Sequence, residues 1–139
     1  MPEAAARGPS AGPIQVLLVD DEEAFTDRLA KVLRRRGLQV TVAASGEEGI
    51  AHLAEHDCDV VVLDLRMPGL DGLATLGRLK ELRPTTQVIM LTGHGTVEAG
   101  IEALRLAAFD FMLKPAATER LVEVICAASD LRTRGKDAR

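Results

Sequence analysis

Short runs of branched aliphatic residues alternate along this chain with longer stretches in which apolar residues recur every three or four positions. The short runs predict strands, and the longer stretches predict helices that cover a sheet. Strands that alternate with helices are typical of βαβ units and a parallel sheet. The predicted strands are residues 15–19, 39–43, 60–63, 87–91 and 110–113.

Each longer stretch has one apolar helix face, which is the side that normally packs on a core. The second stretch opens with Ser45 and Glu48 in the spacing of a capping box. The residues that mark the five faces are, in chain order, Phe25, Leu29, Val32 and Leu33; Ile50 and Leu53; Leu73, Leu76, Leu79 and Leu82; Val97, Ile101 and Leu104; and Leu121, Val124, Ile125 and Ala128. Five helices are therefore expected beside the five strands.

The predicted fold class is α/β, with a five-stranded, parallel, doubly wound sheet, five helices and the flavodoxin-like strand order 2-1-3-4-5. Each unit has room for one strand, one helix and two short loops, which leaves no space for a hidden second domain. We expect residues 1–13 to be a disordered lead-in, residues 14–129 to form the domain, and residues 130–139 to be a C-terminal tail or linker stub. On this prediction the chain contains no output domain.

Composition narrows the classes of function. The 139 residues suit one domain, and the 47% that are hydrophobic are enough for a core. The net charge of −4, the absence of Trp and Tyr, and the lack of a basic patch argue against direct binding of nucleic acid. No aliphatic run is long enough to span a membrane, and Cys58 and Cys126 lack the spacing of a zinc site or disulfide framework. We expect a cytoplasmic protein with two buried thiols.

Acidic residues follow two of the predicted strands. Asp20 and Asp21 come directly after the first strand, and Asp64 comes directly after the third. The predicted strand order places these two ends side by side, at the switch point where open α/β sheets bind ligands. Crowded carboxylates repel one another unless a cation neutralises them, and hard oxygen ligands suit Mg²⁺. The sequence therefore predicts a magnesium site at this edge.

The acidic run 20–23 also has a simpler interpretation, as the first turn of a helix whose dipole favours acidic residues. Asp64 argues against that interpretation, because a carboxylate directly after a buried strand is hard to solvate and often serves as a ligand or a nucleophile. Thr92 and Lys114, which follow the fourth and fifth predicted strands, add a hydroxyl and an ammonium to the same edge. These groups together suit a metal and a transferring phosphoryl group.

Four motifs occur in order along the chain: VLLVDDE, VVVLDLRMPGLDG, LTGHG and AFDFMLKP. Together they resemble the receiver domain of two-component response regulators, over residues 14–129, and residues 91–111 look most like receivers of transcriptional activators. The resemblance implies that Asp64 is the phosphoacceptor and that Thr92 and Lys114 contact the phosphoryl oxygens. The residues that it implies for Mg²⁺ are Asp20, Asp21, Asp64 and, through its backbone carbonyl, Arg66. It further implies an aromatic switch at Phe111 that works with Thr92, and a cis peptide between Lys114 and Pro115.

The function implied by this resemblance is a phosphorylation switch that catalyses only its own phosphorylation and dephosphorylation. Asp64 would take its phosphoryl group from a sensor histidine kinase or a histidine phosphotransfer protein. The signal would pass through helix 4, strand 5 and helix 5 to a downstream protein target or to a second copy in a homodimer.

Two alternatives remain open at this point. The domain could be an interaction module that works without phosphorylation. It could also be a phosphohydrolase with an aspartate nucleophile, although Arg66 stands where such enzymes carry a second acid, and a guanidinium cannot protonate a leaving group.

Overall fold

The computed structural model describes residues 12–66, 69 and 71–137, and within them it contains a single sheet flanked by helices. The strands are β1 (Gln15–Val19), β2 (Gln39–Ala43), β3 (Val60–Leu63), β4 (Gln87–Thr92) and β5 (Asp110–Leu113). The helices are α1 (Glu23–Arg35), α2 (Gly46–Glu55), α3 (Gly72–Leu82), α4 (Val97–Arg105) and α5 (Thr118–Asp137). All five predicted strands are confirmed, and β4 is one residue longer because Thr92 still pairs with Leu113.

The sheet is fully parallel and has the order β2-β1-β3-β4-β5, as predicted. Its central strand β3 is buried along its whole length and pairs with β1 on one side and β4 on the other. Parallel pairing brings the carboxyl ends of all the strands to one edge. The residues that follow β1 and β3 are therefore neighbours, although they are far apart in sequence.

Two hydrophobic clusters lie on opposite faces of the sheet, because successive strand residues point to opposite sides. In β1, Val16 and Leu18 belong to the cluster under α1 and α5, while Leu17 and Val19 belong to the cluster under α2 and α3. A strand of continuous aliphatic residues such as β3 is what a sheet covered on both faces requires. This packing holds the carboxyl edge rigidly.

Three helices begin at a polar side chain that caps their free backbone N–H groups. Ser45 accepts a hydrogen bond from the backbone N–H of Glu48 at 3.1 Å, as the predicted capping box requires, and the Glu48 carboxylate accepts one from the N–H of Ala44 at 3.3 Å. Asp71 caps α3 in the same way, and Thr96 caps α4. Such caps fix the points at which the loops end and the helices begin.

The apolar face predicted for the fourth helix is mostly exposed. Val97 is 76% exposed, Ile101 49% and Leu104 55%, and Leu113 on the neighbouring strand β5 is 56% exposed. Ala103 is the buried residue of α4, so the helix rests on the sheet through a small side chain. The spacing correctly predicts a helix with an apolar face, but the prediction that this face packs on the core is wrong. We call these four exposed residues the α4–β5 patch.

The fifth helix continues beyond its predicted end, so residues 130–137 are helical. Arg132, only 6% exposed, holds these added turns against the base of the sheet. Its guanidinium donates to Asp59 at 2.7 Å and to both carboxylate oxygens of Asp57 at 2.6 and 2.8 Å. These ion pairs are tertiary contacts that stabilise the helix beyond the point where its apolar pattern stops.

Residues 1–11 of the predicted lead-in, and residues 138 and 139 of the predicted tail, lie outside the described part of the chain. No helix within the described residues is both long and apolar enough to cross a bilayer. Of the two cysteines, Cys58 is buried as expected, but Cys126 is only partly buried, so that part of the thiol prediction is wrong. Burial raises the pKa of the Cys58 thiol to about 12, which keeps it neutral and unreactive.

Candidate functional site

The carboxyl edge of the sheet brings together the side chains predicted to form the site. Asp20 follows β1, Asp64 follows β3, Thr92 ends β4 and Lys114 follows β5. Asp20 is 5% exposed, Asp64 4% and Thr92 0%, whereas Asp21 is exposed. The site is therefore a shallow crevice with buried carboxylates on its floor and Asp21 at its rim.

Three carboxylates converge in this crevice. Asp20, Asp21 and Asp64 each offer an oxygen, and these oxygens all lie within 4.8 Å of one another. Oδ1 of Asp64 is buried and has no hydrogen-bond partner among the described residues, although a buried carboxylate oxygen is costly without one. An orphaned oxygen inside an acidic cluster is what a divalent cation with oxygen ligands would satisfy, so these residues fit Mg²⁺.

Arg66 follows Asp64 by two residues, and its side chain is exposed. Its predicted contribution to a metal is through the backbone carbonyl, which does not depend on the side chain.

Lys114 reaches into the crevice from the end of β5. Its Nζ donates to Oδ2 of Asp20 and to Oε1 of Glu22, both at 2.7 Å, and it lies 4.1 Å from the centre of the Phe25 ring. Burial works to lower the pKa of this ammonium, but the hydrogen bonds to Asp20 and Glu22 outweigh that effect and raise its pKa. Lys114 therefore stays charged beside the carboxylates.

Asp20 is only partly neutralised by this contact. Burial raises its pKa, and the nearby charge of Asp64 acts in the same direction, against the lowering effect of its hydrogen bonds with Lys114 and with the backbone N–H of Glu22. The crevice thus keeps an excess of negative charge, because the three clustered carboxylates and Glu22 share the ammonium of Lys114.

Thr92 and Phe111 lie on the β4 and β5 side of the crevice. The Thr92 hydroxyl accepts a hydrogen bond from the backbone N–H of His94 at 3.1 Å, which leaves its own proton free to donate. Phe111 is half-buried against the loop before α4, and a Cβ at Gly95 would stand only 2.7 Å from its ring. Gly95 therefore lets this loop approach the aromatic ring closely.

Two further features concern the backbone around the site. The peptide between Lys114 and Pro115 is cis, as the sequence resemblance implied. Gly72, the first residue of α3, packs so tightly on the chain after Asp64 that a Cβ there would collide with the Asp64 carbonyl oxygen and with Leu65. Glycine at this position allows the helix to start directly against the loop that carries Asp64.

Sequence reasoning missed the roles of Glu22 and Phe25 as partners of Lys114. In the sequence, Glu22 is one member of an acidic run, and Phe25 is part of an apolar helix face. Glu22 and Lys114 are 92 positions apart in the sequence, so no local pattern reveals their contact. The acidic run 20–23 is the one available signal, because it holds two more acids than the ligand positions Asp20 and Asp21 need.

We expect Asp64→Asn to stabilise the protein in the presence of a metal chelator. The substitution keeps the shape of the side chain and removes one of three crowded charges, and we estimate a gain of about 1 kcal/mol in the free energy of unfolding. Chemical denaturation with a chelator, and again with excess Mg²⁺, measures this. Excess Mg²⁺ should make wild type the more stable of the two proteins, because Mg²⁺ binds native wild type more tightly than it binds the native variant. An equal or lower midpoint for the variant in chelator would contradict the idea that these carboxylates repel one another.

Comparisons with known proteins agree with the fold. Residues 16–126 match the family model described as response regulator receiver domain. The transcriptional regulatory protein ZraR of Salmonella typhimurium is 37% identical over 114 residues, which cover 82% of this chain and 26% of that protein. This chain thus spans about a quarter of the length of such curated relatives.

Two solved structures extend the comparison. The CheY-like receiver domain protein from Methanospirillum hungatei superposes with a TM-score of 0.86 at 27% identity, covering 89% of this chain and 99% of that one. A response regulator from Burkholderia pseudomallei superposes with a TM-score of 0.78 at 26% identity, covering 88% of this chain and 72% of that one. The second structure is described as containing a phosphorylated aspartic acid, a calcium ion and citrate.

Proposed function

This chain belongs to the response regulator receiver domain family of two-component systems, and we propose that Asp64 is its phosphoacceptor. The observation that carries the proposal is Oδ1 of Asp64, which is buried at the carboxyl edge between Asp20 and Thr92 and has no hydrogen-bond partner among the residues that the structure describes. A carboxylate oxygen that has no internal partner is available as a nucleophile.

The proposed reaction is an in-line transfer from a phosphohistidine. A carboxylate oxygen of Asp64 attacks phosphorus, the phosphorus–nitrogen bond breaks, and the imidazole of the donor leaves as the Asp64 acyl phosphate forms. Lys114 supplies positive charge for the phosphoryl oxygens, and the free proton of the Thr92 hydroxyl donates to another of them. Asp20, Asp21, Asp64 and the carbonyl of Arg66 would hold Mg²⁺, which supplies further charge neutralisation on the transferring group.

The proposed donor is a sensor histidine kinase or a histidine phosphotransfer protein, which would place the reaction in the cytoplasm. The same residues then position water for the loss of the phosphoryl group, so the domain catalyses only its own turnover. The phosphorylated aspartic acid in the Burkholderia pseudomallei relative supports the proposed role of Asp64. Its calcium ion supports a divalent cation beside it.

The two alternatives fit the site less well. A phosphohydrolase would need an acid near the leaving group, and the side chain two residues after Asp64 is the exposed guanidinium of Arg66. An interaction module without phosphorylation would have no use for a buried, unpartnered carboxylate oxygen.

A small acyl phosphate donor with Mg²⁺ tests the proposal. Intact-mass spectrometry should show the gain of one phosphoryl group, and a chelator should prevent it. Repeated turnover of a separate phosphate ester would favour the hydrolase instead. No mass gain with either a small donor or a phosphorylated histidine kinase would reject phosphoacceptance.

The proposed output surface is the face formed by α4, β5 and α5, which includes the α4–β5 patch. Exposed apolar side chains of this kind mark sites of protein contact. Its occupant is a downstream protein target or a second copy of this chain. Light scattering before and after phosphorylation separates the two, because a homodimer that prefers the phosphorylated conformer should strengthen.

We expect Thr92→Ala to uncouple phosphorylation from this surface. The phosphoryl group should draw the Thr92 hydroxyl toward Asp64, which requires release from the N–H of His94 and opens space for Phe111 to turn. The variant should still accept phosphate, but the amide chemical shifts around Phe111 should change much less than in wild type. Thr92→Ser, which keeps the hydroxyl, is the matched control and should respond normally. Equal shifts in the Ala variant and wild type would refute this coupling.

A further inference from the structure

We infer that Glu22 is a positioning residue, which holds the Lys114 ammonium on the Asp20 side of the crevice and has to release it when Lys114 turns to a phosphoryl group on Asp64. The inference rests on the proposed role of Asp64 as phosphoacceptor. It concerns the Glu22 side chain, to which that role assigns no task.

The Lys114 ammonium already has three neighbours in the structure. Nζ lies 2.7 Å from Asp20 and 2.7 Å from Glu22, and it sits over the ring of Phe25 at 4.1 Å from its centre. An ammonium has three N–H donors, of which two are directed to the carboxylates, and the aromatic face attracts the remaining charge. A phosphoryl oxygen on Asp64 therefore has to replace one of these neighbours.

Of the two carboxylates that hold Lys114, Glu22 is the one that can be replaced at the lower cost. Its side chain is 62% exposed and that of Asp20 only 6%, so water can take the place of Lys114 at Glu22 but hardly at Asp20. Asp20 also has an oxygen within 4.8 Å of one from Asp64, which lets Lys114 stay near Asp20 while it turns. Glu22 does not belong to that group of carboxylates.

Glu22 can release Lys114 without disturbing the fold. It is the N-cap residue of α1, but its side chain makes no capping hydrogen bond. The helix begins through its backbone carbonyl, which accepts from the N–H of Thr26 at 3.0 Å. Substitutions of the Glu22 side chain therefore leave the hydrogen bonds of the first helical turn in place.

A crystal structure of Glu22→Gln, compared with Glu23→Gln, tests the positioning directly. Glu23 is an exposed acid of the same turn, and within the described part of the chain the carboxylate partners of Lys114 are Asp20 and Glu22. In Glu22→Gln we expect Nζ to move into hydrogen-bond distance of Oδ1 of Asp64. In Glu23→Gln we expect it to stay on Asp20 and Glu22. An unmoved ammonium in Glu22→Gln overturns the inference.

The initial rate of phosphoryl uptake from a small acyl phosphate with Mg²⁺ is the second test. Both variants lose one negative charge near the crevice, so any general effect on an anionic donor is shared between them. Because Lys114 is released from its exposed ion pair with Glu22, the Glu22→Gln variant should take up the phosphoryl group about two- to fivefold faster than Glu23→Gln. Equal rates overturn the inference. If wild type takes up no phosphoryl group, the proposed function fails instead, and the crystal structures still decide where Glu22 holds Lys114.

Discussion

Asp64→Asn is expected to abolish phosphoryl uptake completely. An amide oxygen is a poor nucleophile, and the substitution also removes one carboxylate from the cluster predicted to hold Mg²⁺. The shape of the side chain is kept, so the buried position should still pack. Intact-mass spectrometry after incubation with donor and Mg²⁺ should show the unmodified mass for the variant and one added phosphoryl group for wild type.

Asp71→Asn is the matched control for that experiment. It makes the same chemical change seven positions later, at an exposed residue whose carboxylate caps α3 through the N–H of Ala74 at 2.8 Å. Asparagine caps helices about as well as aspartate does, so this variant should fold and take up phosphate like wild type. Undiminished labelling of Asp64→Asn would move the phosphoacceptor elsewhere and reject the proposed site.

Arg132→Met is expected to cause the largest loss of stability. The guanidinium is 6% exposed and pairs with Asp59, whose side chain is 12% exposed. Methionine cannot replace the charge-assisted hydrogen bonds that this buried guanidinium donates, and we estimate a loss of about 3 kcal/mol in the free energy of unfolding. Chemical denaturation measures the loss, and hydrogen exchange should show that the last turns of α5 become unprotected.

Arg134→Met is the control for Arg132, because Arg134 is an exposed residue of the same helix. It should change the free energy of unfolding by less than about 0.5 kcal/mol. The double variant Arg132→Met with Asp59→Asn should recover part of the loss, since it removes the buried negative charge together with the guanidinium that pairs with it. A single Arg132→Met variant as stable as wild type would show that these ion pairs do not hold α5 in place.

The strands could be predicted from the sequence because their burial is dictated locally. A buried parallel strand such as β3 has to be aliphatic on both faces, and the run Val60–Leu63 therefore identifies it without any tertiary information. The positions of Asp20, Asp64, Thr92 and Lys114 then follow from where the strands end. The juxtaposition of these residues needs only the strand order in addition.

The errors concern features that depend on partners distant in sequence. The spacing of Val97 and Ile101 indicates an apolar helix face, but it cannot tell whether that face meets the sheet or another molecule. The end of α5 depends on Arg132 pairing with residues 73 and 75 positions earlier. The contact between Glu22 and Lys114 also depends on residues distant in sequence, because no local pattern shows which side chains meet across the crevice.

The central claim is that Asp64 forms an acyl phosphate, and peptide mapping of the wild-type protein tests it most directly. After incubation with a small acyl phosphate and Mg²⁺, borohydride converts an aspartyl phosphate to homoserine and so marks the modified position. We expect homoserine at position 64 and at no other aspartate. Homoserine at another aspartate, or a phosphoryl group found on His52, His56 or His94 with Asp64 unchanged, would contradict it.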